Sequence, residues 1–210
     1  TISLHHVIDI MSGAIIKRLA LEKDHGLIVA AEGLISKVSS QELAAIDCIE
    51  KDDFGHVRYA EINFSDVLKK QLNCELKKMG IPISVQNKEI GYEVRCAPPN
   101  PFDVEYTRNL GYGAFKFLAE GGSNAVIAIQ NNELNPINFE DIVDPETGKM
   151  KIRLVDTDSL QYRIARKYMI RLERRDLESE FLLNKMSRIA NMTPQDFIEK
   201  YGYLVGLESE

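Results

Sequence analysis

Leu27-Ile28-Val29-Ala30-Ala31-Glu32-Gly33 is an unbroken apolar run closed by a carboxylate and a glycine. Continuous rather than alternating hydrophobicity predicts a strand covered on both faces, the pattern of parallel sheets flanked by helices. On either side of it, apolar residues recur at helical spacing. Leu4, Val7, Ile8, Met11, Ile15 and Leu19 make one face of a helix over 3–21, with Ser3 as N-cap and Gly26 as a left-handed stop. Phe64, Val67, Leu68, Leu72, Leu76 and Met79 define a second helix over 64–79, ended by Gly80. Further helices are expected over 41–48, 103–119, 159–168 and 177–189, and from Thr193-Pro194 onward. Residues 81–85 and 125–129 read as more strands. Asn131-Asn132 reads as a hairpin turn, and Asp144-Pro145-Glu146-Thr147-Gly148 as a second turn. Helix alternating with buried strand predicts an α/β fold: a parallel sheet with helices on both faces.

The 210 residues carry 26 Lys+Arg against 32 Asp+Glu, a net charge of −6. Neutralising a phosphate backbone takes a basic surface, and no basic stripe runs through the chain, so no nucleic-acid partner is expected. The longest apolar runs are too short to cross a bilayer, which predicts no membrane association. Cys48, Cys74 and Cys96 are widely spaced without a CxxC pair, and no signal-peptide pattern occurs. Reduced thiols and a cytoplasmic location follow as expectations. The chain opens at Thr1 without an initiator Met and reads as a piece of a longer one.

Several local patterns fail as chemistry. Asp53-Phe54-Gly55 matches a kinase magnesium triplet but has no catalytic loop before it, and reads as a turn. Gly148-Lys149 is followed by Met150 where a phosphate loop needs Ser or Thr. Gly111-Tyr112-Gly113 lacks its third glycine, with Lys116 in that place. His5 and His6 are adjacent on a helix and point to different sides, so no metal site is expected. Asp156-Thr157-Asp158 reads as a helix N-cap.

Two places fit ligand chemistry better. Glu32 follows directly on the apolar run, and in open α/β sheets ligands sit beyond the carboxyl ends of strands. A carboxylate there accepts hydrogen bonds from sugar hydroxyls; it equally fits a surface glutamate that begins a helix. The second place is the loop Lys88-Glu89-Ile90-Gly91-Tyr92-Glu93-Val94-Arg95-Cys96. Arg95 offers a planar fork suited to a phosphate, Tyr92 a hydroxyl and Lys88 a point charge. Gly91 permits a close approach of backbone to ligand. A solvated or salt-bridged arginine is the plainer reading.

At this loop the chain resembles the phosphofructokinase family, and more closely its pyrophosphate-dependent branch. The resemblance is carried by Gly91 to Cys96, then Pro99, Phe102-Asp103, Tyr106 and Leu110-Gly111-Tyr112. It extends upstream to Ile28–Gly33 and downstream through Asp144 to Gly148 and Arg166 to Leu172. It implies a three-layer, Rossmann-like parallel sheet, of which this chain is the C-terminal half with added C-terminal helices. Residues 1–203 would be the sugar-phosphate-binding part and 204–210 a loose tail. It also implies phosphoryl transfer from pyrophosphate or ATP to the 1-hydroxyl of fructose 6-phosphate, a step of glycolysis. Glu32 is then a sugar contact, Tyr92 and Arg95 belong to the sugar-phosphate site, and Glu93 and Val94 line it. The family's glycine-rich donor loop, its Thr-Ile-Asp type base and its Met-Gly-Arg segment have no counterpart here. No catalytic residue is therefore assigned to this chain, magnesium is expected on the N-terminal part, and the isolated chain is expected to be inactive. The resemblance further implies a homodimer or homotetramer. A non-catalytic regulatory subunit of the same fold is the alternative.

Overall fold

The computed structural model describes residues 2–44, 63–145, 148, 150–151 and 154–206. Helices dominate it, and the chain divides into two units, Thr1–Glu89 with Arg166–Glu210 and Ile90–Ala165. The readings at Cys48, Asp53-Phe54-Gly55 and His56 lie outside the described residues, as do Glu146, Thr147 and Lys149.

In the first unit, Ser3 caps α1 (Leu4–Ala20) by accepting a hydrogen bond from the His6 N–H. The helix ends at Ala20, six residues before Gly26, the glycine expected to end it. Glu22 takes the left-handed conformation, φ 61°. The Glu22 N–H then donates to Leu19 O at 2.9 Å and the Lys23 N–H to Arg18 O at 2.9 Å, which closes the last carbonyls. A 3-10 turn (Glu32–Lys37) and the short α2 (Ser40–Ala44) follow. α3 (Phe64–Lys78) is capped by Asn63 and stopped by Gly80, whose φ of +70° only glycine adopts without strain. The last helices of this unit are α8 (Arg174–Glu178), α9 (Glu180–Ile189) and α10 (Pro194–Tyr201). The core lies between them and α1 and α3. It is built from Ile16, Leu43, Leu72, Leu76, Met186, Phe197 and Tyr201, with Leu172 and Ile81 at its margin.

Three expectations for this unit are corrected. Residues 27–31 form no strand: they are unpaired by any described strand and open to solvent, with Leu27 88% and Val29 75% exposed. Two-sided burial needs neighbouring strands, and among the described residues there are none beside this run. Residues 81–85 join no sheet, and the Ile83 N–H turns back to Ile81 O at 2.9 Å. Ile81, Ile83 and Val85 alternate inward, and Asn73 on α3 does what a neighbouring strand would. It accepts from the Val85 N–H at 2.9 Å and donates to the Val85 carbonyl at 3.2 Å. The helix expected over 177–189 is broken at Ser179, whose extended backbone (ψ 107°) separates α8 from α9 and whose hydroxyl caps the second. Gly202–Val205 is a 3-10 turn, with Leu204 and Val205 against the core.

The second unit holds α4 (Tyr92–Arg95), α5 (Pro101–Ala119), strands β1 (Ala125–Gln130) and β2 (Glu133–Asn138), α6 (Phe139–Ile142) and most of α7 (Leu160–Tyr168). β1 and β2 pair antiparallel, from Ala125 opposite Asn138 to Gln130 opposite Glu133. Asn131 (φ 51°) and Asn132 (φ 65°) make the two-residue turn, as expected of that dipeptide. This hairpin is the sheet of the described residues; a parallel one is not among them. α5 reaches the hairpin at Gly113, where a Cβ would collide with Leu134 and stand 3.1 Å from Ile127. Asp156 caps no helix. It accepts from the Asp158 N–H at 2.9 Å within a turn, and Ser159 receives the Tyr162 N–H of α7 at 3.2 Å.

Replacing Asn73 by Ala leaves both Val85 groups without their side-chain partner, and should cost about 1–3 kcal/mol in denaturant unfolding. The exposed neighbour Gln71→Ala should stay within about 0.5 kcal/mol of wild type.

Candidate functional site

Glu32 opens the 3-10 turn that follows the apolar run. The turn is held by the Leu34 N–H on Ala31 O at 3.0 Å and by Ser36 Oγ on Gly33 O at 2.8 Å. Tyr92, Glu93, Val94 and Arg95 are brought together on the single turn of α4, closed by the Arg95 N–H on Gly91 O at 3.1 Å. The Arg95 and Glu93 side chains are exposed. Apart from its two chain neighbours, a Cβ on Gly91 would meet nothing within 4 Å. Glu32 belongs to the first unit and residues 92–95 to the second.

The segment after α4 is stiffened by Pro98, Pro99 and Pro101. It ends in a capping box that the sequence reading overlooked by starting this helix at Asp103. Asn100 Oδ1 accepts from the Asp103 N–H at 3.0 Å, and Asp103 Oδ2 accepts from the Asn100 N–H at 2.9 Å. The signal was present: Asn, then Pro at the first helical position, then Asp three residues on.

A second constellation, also unforeseen, is buried in the first unit. Asp9 is fully buried on α1. Its Oδ2 accepts from Tyr203 OH at 2.7 Å and stands 3.4 Å from His5 Nε2, while Oδ1 faces Lys200 Nζ at 3.5 Å. Lys200 also pairs with Glu75 on α3 at 2.6 Å, and Tyr201 OH meets Ser12 Oγ at 3.1 Å. Burial pushes the Tyr201 phenol up, and Tyr203 follows through burial and its bond to Asp9. Burial alone would raise Glu75; the Lys200 and Lys78 ammonium groups outweigh it and hold the carboxyl below its ordinary value. Burial would likewise lower Lys200, yet Glu75 and Asp9 raise it. Each charge here has a partner on another element, which makes the cluster a clamp for α1, α3 and α10. Among the described residues no group of three His, Cys, Asp or Glu side chains converges to hold a metal ion.

No protein-family model matches the chain. Individual relatives do. It is 40% identical over 207 residues, 97% of its own length and 47% of the relative's, to a pyrophosphate–fructose 6-phosphate 1-phosphotransferase of Naegleria fowleri. The chain belongs to the phosphofructokinase family. An enzyme of the same name from Thermotoga maritima is 40% identical over 98% of this chain and 50% of its own length. An ATP-dependent 6-phosphofructokinase of Corynebacterium efficiens is 26% identical over 60% of the chain. The phosphofructokinase-family resemblance read from Glu32, Gly91–Cys96 and Phe102-Asp103 thus extends along nearly the whole chain. The chain spans about half the length of the curated relatives it matches. No helix among the described residues is long and apolar enough to cross a membrane.

Since Glu75 is held below its ordinary value, its stabilising effect is present above the unfolded glutamate pKa of about 4.3 and lost as pH falls through the lowered value. In the full-length protein, Lys200→Met should lower the melting temperature at pH 7. It should also flatten the decline expected of wild type between pH 5 and 3, followed by circular dichroism.

Proposed function

We propose that this chain is the fructose 6-phosphate-binding part of a phosphofructokinase that forms fructose 1,6-bisphosphate in glycolysis, with pyrophosphate or ATP as donor. The observation that carries the reading is the exposed Arg95 on α4, beside the open space at Gly91. It stands in a chain 40% identical, over 97% of its length, to an enzyme named for that substrate. A guanidinium presents two parallel donors to a phosphate dianion, and a tyrosine hydroxyl adds a neutral donor. In this reading Arg95 and Tyr92 hold the 6-phosphate, Glu93 and Val94 line its site, and Glu32 accepts from the sugar hydroxyls. The division of labour is physical. One end of the substrate is anionic and needs cations and donors; the other carries hydroxyls and is oriented by a carboxylate.

Phosphoryl transfer is chiefly positioning and charge neutralisation. The chain's share is the positioning: holding the ketose so that its 1-hydroxyl faces the donor. Magnesium, the donor and the proton acceptor are assigned to the remainder of the protein. The same reading places residues 27–31 in a three-layer parallel sheet completed by that remainder. The exposure of Leu27, Ile28 and Val29 supports this, because an apolar run of this kind is covered in a finished protein. The parent protein is read as a cytoplasmic homodimer or homotetramer.

Calorimetric titration of the full-length protein with fructose 6-phosphate tests the assignment. Arg95→Ala should weaken binding by about 1.5–3 kcal/mol, a loss of roughly tenfold to 150-fold. Unchanged affinity would overturn it.

A further inference from the structure

Arg95 is joined to α5 by Cys96-Ala97-Pro98-Pro99-Asn100. Pro98, Pro99 and Pro101 fix their own φ and restrict the residues before them to extended backbone, and Asn100 accordingly sits at φ −87°, ψ 172°. The prolines also lack N–H groups, so few backbone donors remain to tie this arm down. The Asn100 N–H is one, and it is held by Asp103 Oδ2 at 2.9 Å. In return the Asp103 N–H holds the Asn100 side chain at 3.0 Å, and Thr107 Oγ1 bonds the Asp103 carbonyl at 2.7 Å. α5 is itself seated on the β1–β2 hairpin at Gly113. A stiff arm therefore runs from Arg95 to one clasp on a helix that is fixed further along.

We infer that Asp103 is a positioning residue for the sugar-phosphate site: its carboxylate, through Asn100, sets where Arg95 meets the 6-phosphate. The inference rests on the reading of Arg95 given above. Asp103 needs no contact with substrate for this role. A displacement of the arm by even a fraction of an ångström loosens the fork-to-phosphate geometry, because paired donors tolerate little misalignment.

The test measures KM and kcat of the full-length enzyme for fructose 6-phosphate, with pyrophosphate as donor. Calorimetric Kd values and melting temperatures are taken in parallel. Asp103→Ala should raise KM and Kd by about threefold to tenfold, the size of a lost cap passed on to binding, with kcat changed by less than about twofold. Asp103→Asn keeps an oxygen for the Asn100 N–H and should stay within about twofold of wild type. If Arg95→Ala weakens binding while Asp103→Ala leaves KM and Kd unchanged, the positioning role is overturned and the sugar-phosphate assignment stands. A fall in melting temperature alone, with KM unaltered, overturns it in the same way. If Arg95→Ala has no effect, the reading beneath it is what fails.

Discussion

Backbone N–H and C=O groups withdrawn from water must be paired, and in this chain asparagine and aspartate side chains do much of that pairing. Asn73 brackets Val85 and so keeps segment 81–85 against α3 without a sheet. Asn191 takes the left-handed position after α9, and its amide donates to Met79 O at 2.6 Å, where α3 ends. Two helix ends are thereby joined by one side chain. Asp176 accepts from the Glu173 N–H at the start of α8 while pairing with Lys17 of α1 at 2.6 Å. Asn100 and Asp103 do the equivalent for α5. The apolar core supplies the bulk of the free energy, and these short polar side chains decide which segment lies where.

The same principle separates what the sequence disclosed from what it withheld. α1, α3, α5 and the hairpin were legible because each is a local event: apolar residues at a fixed period, a capping residue, an Asn-Asn turn. The run 27–31 was legible only as extended and apolar. Periodicity announces that such a segment needs cover; it says nothing of whether the cover lies in the same chain. Segment 81–85 misled for a related reason, since its alternation is that of a strand while its partner is one asparagine twelve residues back on a helix. Glu22 displaced Gly26 as the stop of α1 because Schellman-type closure needs one left-handed residue at a fixed place, and any residue can be pressed into it at modest cost.

The candidate site is a reading of residue type: an arginine beside a glycine and a tyrosine fits anion binding, a solvated arginine fits the same residues, and the family resemblance is what favours a phosphate. The support of that arginine was harder to see, since Asn100 and Asp103 looked like ordinary loop and helix residues until their two hydrogen bonds were in view. The buried Asp9 was hidden for a different reason. Nothing in an apolar helix face shows which of its polar positions will turn inward, and its partners Tyr203 and Lys200 arrive from the far end of the chain.

The open ribbon from Leu27 to Ala31 has one further effect. An exposed apolar, β-prone stretch invites like copies to stack on one another. Concentrating this piece by itself should therefore favour clumping, and a soluble companion able to shield that stretch would act as its chaperone.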